Sequence, residues 1–146
     1  MDSEAISSAF QNAVMRLGCN EDWDIALATR IFVAINEQSD GVMDKHVLLV
    51  APGAWEKHVT YQLLACALVE AGAKHIDIVG LEESNVIEHI QQSKFINVVG
   101  AMQQAPLLVN ANIVVCMDKL QSTMEDFNGS ATFFSTKKQF NAIGVG

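Results

Sequence analysis

The spacing of apolar positions along this chain changes near residue 40. Before it, Ile6, Phe10, Ala13, Val14 and Leu17 recur every three or four residues, which puts them on one stripe of a helix that Gly18 can end. A second helical segment starts near Asp22, a suitable N-cap, with Ile25, Ala28, Phe32 and Ile35 on one stripe. Residues 30–35 (RIFVAI) fit a strand equally well, so the pattern leaves helix and strand open there. The polar residues 36–41 read as a turn or short linker.

After residue 41 short apolar runs alternate with longer helical patterns. Residues 46–51 (HVLLVA) lie between Asp44-Lys45 and Pro52-Gly53, and read as a strand buried on both faces. Residues 75–80, 95–100 and 113–117 repeat that signature, and 132–134 (TFF) supply a last strand. Between them, 55–71 and 83–93 have helical periodicity, Gly72 closes the first of these, and 120–127 suggest a short helix. Strands alternating with helices of this length imply right-handed βαβ crossovers. The expected fold is one three-layer α/β domain over 1–146, Rossmann-like or flavodoxin-like, with a mainly parallel sheet from 46 onward and a helical element over 1–40.

Composition narrows the function. Half of the 146 residues are hydrophobic and 18% are charged, which excludes an acidic disordered chain. Nine basic against 17 acidic residues, a formal charge of −8, argue against nucleic acid, whose binding rests on Lys and Arg neutralising phosphates. Residues 95–117 carry no formal charge, yet Asn97, Gln103, Gln104, Pro106, Asn110 and Asn112 interrupt them, so buried strands explain the run better than a membrane span. The opening MDSEAISSAF has no basic region before an apolar run, unlike a secretory signal. Cys19, Cys66 and Cys116 are far apart, which suits free thiols in the cytoplasm. The apolar stripes of the first two helices, in a small domain, point to a homodimer.

Ligands of open parallel sheets sit where strands end and helices begin. The first such junction, VLLVAPGAWEKH (47–58), places Gly53, Trp55, Glu56 and His58 after a strand. A helix N-terminus suits an anion. A dinucleotide fingerprint, however, needs three glycines where this junction has Gly53 alone, and no G-x-x-x-x-G-K-[ST] occurs anywhere.

Glu56-Lys57-His58 resembles the D/E-x-H-x-x-G motif of cobalamin-binding domains, and the likeness extends loosely over 46–146 through HIDIVGL, EESNVIEHI, VVGAM and FNAIGVG. That resemblance implies a histidine beneath a corrin ring, with the acid orienting its second nitrogen. Tyr61 stands where the motif has glycine, Gly100-Ala101-Met102 does not match the family's S-x-L, and no Gly-Gly pair follows the last strand. Related domains take other flat ligands, so cobalamin or heme is the implied cofactor. Residues 46–80 are also similar to the opening βαβ unit of Rossmann domains from dehydrogenases and ubiquitin-activating-type adenylating enzymes, with NANIVVCMDK resembling their fourth strand. Those families have G-x-G-x-x-G at PGAWEK and an acid at Gly80.

The other chemistry-bearing residues have plainer explanations. His75 and His89 read as surface histidines that nothing pairs, and no cluster has metal-ligand spacing. Cys66 lies in an apolar run, where burial keeps a thiol inert. Cys116 ends a strand at the ligand edge, but the following Asp118 disfavours a thiolate. The expected function is therefore a non-catalytic small-molecule-binding or interaction module, with Gly53, Trp55, Glu56, His58, Tyr61, Met102 and Cys116 around the ligand. The alternatives are a shortened Rossmann-type nucleotide-binding enzyme domain and a structural homo-oligomer that binds nothing.

Overall fold

The computed structural model describes residues 3–18, 21–50, 58–81, 83–99, 111–116 and 132–135. Helix α1 (Ser3–Leu17) ends at Gly18, whose φ of 66° is the left-handed conformation that glycine adopts freely. Helix α2 (Asp22–Ser39) runs unbroken through residues 30–35, which settles the open choice there as helix. Packing explains why β-branched residues accept it. Leu27, Ala28, Ile31, Phe32 and Ile35 form one buried helical stripe, and that burial outweighs local strand propensity.

The ends of α2 correct the sequence reading. Glu21 holds the N-cap position and Asp22 is already helical. Residues 36–39, expected as a turn, form the last helical turn, and Asp40 stops it at φ 55°. Lys45 Nζ donates to the carbonyls of Ser39 and Gly41, placing a cation at the negative end of the helix.

Five strands follow: β1 (His46–Val50), β2 (His75–Val79), β3 (Ile96–Val99), β4 (Ile113–Cys116) and β5 (Thr132–Ser135). They form one sheet in the order β3-β2-β1-β4-β5, and every pairing is parallel. This is the order of doubly wound dinucleotide-binding sheets rather than that of flavodoxin. Helix α3 (His58–Glu70) links β1 to β2. The expected single helix over 83–93 is instead a 3-10 turn (Glu83–Asn85) and a short α4 (Glu88–Gln92). The segments 51–57 and 120–127, where helical or strand structure was expected in part, lie outside the described residues.

Alternation along the strands divides the core. Val47, Leu49, Ile76, Ile78, Ile96, Ile113 and Val115 face one side and join a single apolar cluster with α1, α2 and α3. Leu48, Val50, Val79 and Val114 face the other side and are buried as well. Burial on both faces is what the continuous apolar runs require. Helix α3 is apolar nearly all round, from Leu63 to Leu68, because the sheet covers one flank while α1 and α2 pack on others. Phe10 of α1 meets Phe32 of α2 edge to face at 5.2 Å, and Arg16 pairs with Glu70 of α3 at 3.2 Å. Gly72 turns the chain from α3 towards β2 at φ 99°, where a Cβ would stand 2.6 Å from the Met43 sulfur.

Candidate functional site

The strand order reverses direction between β1 and β4, and the crevice beyond the carboxyl ends of such a pair is where open α/β sheets bind ligands. The register places Val50 directly beside Cys116 at that edge. Helix α3 starts at His58, so its first turn also lies there. The topology thus brings the backbones of His58 and Cys116 to one edge. Gly53, Trp55, Glu56 and Met102 lie outside the described residues.

Tyr61 is placed differently from its expected role at a ligand. It is fully buried and belongs to the apolar cluster beneath α1 and α2. Its neighbour Gln62 is also fully buried and works as a strut. Gln62 Nε2 donates to the Asn85 carbonyl at 3.0 Å, and the Ile87 amide donates to Gln62 Oε1 at 2.7 Å. Two residues earlier, Thr60 Oγ1 donates to Asp24 Oδ1 at 2.7 Å, fastening α3 to α2. This stretch of α3 therefore holds the scaffold together.

A second cluster occupies the opposite, amino edge of the sheet. His46 and His75 are register partners on β1 and β2, and Asp77 projects from the same face two residues further along β2. Asp77 Oδ2 accepts from His46 Nε2 at 2.5 Å, while Oδ1 accepts from His75 Nε2 at 3.1 Å and from Asn97 Nδ2 of β3 at 3.2 Å. The imidazole centroids are 5.3 Å apart at an interplanar angle of 58°. The Asp77 side chain is 2% exposed, against 15% for His46 and 38% for His75. A carboxylate so enclosed requires donors, and here three side chains supply them.

The backbone beneath this cluster is pinned. The His46 amide donates to Asn112 Oδ1 at 2.8 Å, and the Asn112 amide returns a bond to the His46 carbonyl at 2.9 Å. Among the described residues, His46, His75 and Asp77 are the group of three whose possible ligand atoms converge, all within 4.8 Å of one another. His75, expected as an unpaired surface histidine, is therefore paired, and its partners are residues that carry no motif in the sequence.

A signal for part of this was present. His75 and Asp77 are two apart in a strand, so their side chains share a face, and an aspartate inside HIDIV needs a reason to be there. The contribution of His46 depends on the β1–β2 register, which no local pattern contains.

Cys66 is buried, and burial foremost, with the Glu70 carboxylate adding to it and Arg16 opposing, pushes its thiol up to about 11. That supports its reading as an inert core residue. No helix among the described residues is long and apolar enough to cross a membrane. No protein-family model, curated protein or solved structure matches the chain.

Proposed function

We propose that this protein is a non-catalytic small-molecule-binding module, with its ligand at the carboxyl end of β1 beside β4, on the segment 51–58. The observation that carries this reading is the strand order, whose reversal between β1 and β4 creates the crevice where such sheets take ligands. Trp55 is a stacking wall for a flat ligand such as a tetrapyrrole, and Glu56 and His58 are its polar contacts. A shortened Rossmann-type nucleotide-binding domain is the second reading. The same strand order favours it, while the lone Gly53 and the acidic Glu56 weaken a phosphate cradle. The scattered cysteines favour a cytoplasmic setting for either.

Two tryptophans are present, so Trp23→Phe leaves Trp55 as the reporter. Titration with heme, cyanocobalamin or a nucleotide is expected to change its emission, and His58→Ala to weaken the binding. Trp55→Ala, followed by ligand absorbance, is expected to lose about 1 kcal/mol or more of affinity. Unchanged emission with every ligand favours a structural protein instead.

The homodimer belongs to the same proposal. Helices α1 and α2 line an open apolar groove that contains Ile6, Phe10, Val14, Met15, Ile25 and Val33, of which Met15 is 74% exposed. Sedimentation is expected to show a dimer of the 15.9 kDa chain, and Met15→Glu to shift it towards monomer.

A further inference from the structure

We infer that His46, His75 and Asp77 form a binding site for a zinc-class divalent cation at the amino edge of the sheet. The donor set selects the metal class. Two imidazole nitrogens and one carboxylate oxygen suit zinc and its first-row neighbours, whereas calcium and magnesium seek shells of oxygen and the softer thiophilic ions seek thiolates.

The geometry is close to what coordination demands. Ligand atoms around tetrahedral zinc, with bonds of about 2.0–2.1 Å, lie about 3.3 Å apart. His75 Nε2 and Asp77 Oδ1 are already 3.1 Å apart. His46 Nε2 bonds the other carboxylate oxygen, Oδ2, at 2.5 Å, and the ion enters as that bond opens, since one ligand atom from each of the three residues already lies within 4.8 Å of the others. His75 is partly open to solvent and gives the ion its route in. Asn97 Nδ2 holds the carboxylate from β3, the outer support that metal-bound carboxylates require. The paired strands place both imidazoles at the same level, and Asn112 fixes the backbone of one of them.

On binding, each imidazole moves its proton from Nε2 to Nδ1 and presents the Nε2 lone pair to the cation, while the carboxylate exchanges its N–H donors for the metal. Waters leave the hydrated ion in return. Three protein ligands leave a fourth position for water. The site lies at the opposite end of the strands from the β1–β4 crevice, so it does not depend on a ligand there.

Isothermal titration of the full chain with Zn2+ is expected to give one site of micromolar affinity or tighter, with no response to Mg2+ or Ca2+. His75→Ala removes the most exposed ligand and leaves the His46–Asp77 pair intact, so it tests the site in a folded protein. It is expected to lower Zn2+ affinity by about 100-fold or more, since even outer-shell losses cost about 10–100-fold. Asn97→Ala is expected to cost about 10-fold. Co2+ is expected to give tetrahedral visible absorption bands with the wild type and none with His75→Ala. Absence of Zn2+ binding, or binding of unchanged affinity in His75→Ala, overturns the inference.

Discussion

At the carboxyl end of the sheet the strand order reverses between the paired strands β1 and β4, but the residues proposed to hold a ligand there are mostly those of the 51–57 junction, outside the described residues. At the amino end no crevice is implied, yet His46, His75, Asp77 and Asn97 converge from three neighbouring strands. One edge is marked by connectivity and the other by side-chain chemistry. A parallel sheet gives both edges the same backbone precision, so a rule that looks only at strand carboxyl ends passes over what strand register assembles at the other end.

The boundary between the scaffold and the proposed site falls in the first turn of α3, and Tyr61 tests it most strongly. Tyr61→Ala is expected to destabilise the protein by about 3–5 kcal/mol in a urea titration, as for other large aromatic side chains lost from a core. A loss below about 1 kcal/mol, comparable to a surface change, moves Tyr61 back towards the ligand.

Gln62 comes next. Gln62→Ala leaves the part-buried Ile87 amide without its acceptor, and the expected cost is about 1–3 kcal/mol, with faster hydrogen exchange at that amide. Retention of slow exchange there contradicts the strut.

Cys66 gives a pH-dependent test. Because its folded-state value is raised from 9.0 to about 11, the folded protein holds the thiol proton more tightly than the unfolded chain. Its contribution is fully present below about pH 9 and is lost as pH rises towards 11. Stability measured across that window is expected to fall less steeply in Cys66→Ala. Alkylation of Cys66 at pH 8 is expected to follow unfolding.

The smallest effect is expected at His89. His89→Gln is expected to change stability by no more than about 0.5 kcal/mol, as for a partly exposed side chain outside both edges.

Much of the architecture was legible because it rests on local periodicity. The runs HVLLV, HIDIV and IVVC carry the apolar continuity that two-sided burial demands, INVV is the half-exposed edge strand, and their order with the helices implied a parallel sheet. What escaped reading depends on packing or register. RIFVAI is helical because its stripe meets α3, and 36–39 are helical because Lys45 and Asp40 terminate α2 later than the polar composition suggested. Three-residue spacing from Trp55 and His58 puts Tyr61 on the same helical face as the junction, but its ring is fully buried in the core. The histidine–aspartate cluster was hidden because His46 and Asp77 are 31 residues apart and meet only through the β1–β2 pairing.

The division between the two edges is tested most directly by amide chemical-shift mapping of the 15N-labelled chain, titrated first with Zn2+ and then with heme or cyanocobalamin. Zn2+ is expected to perturb residues 46, 75, 77, 97 and 112, and the tetrapyrrole to perturb residues 50, 58 and 116, with little overlap. Perturbation of one common set by both, or of neither set by its own ligand, contradicts it.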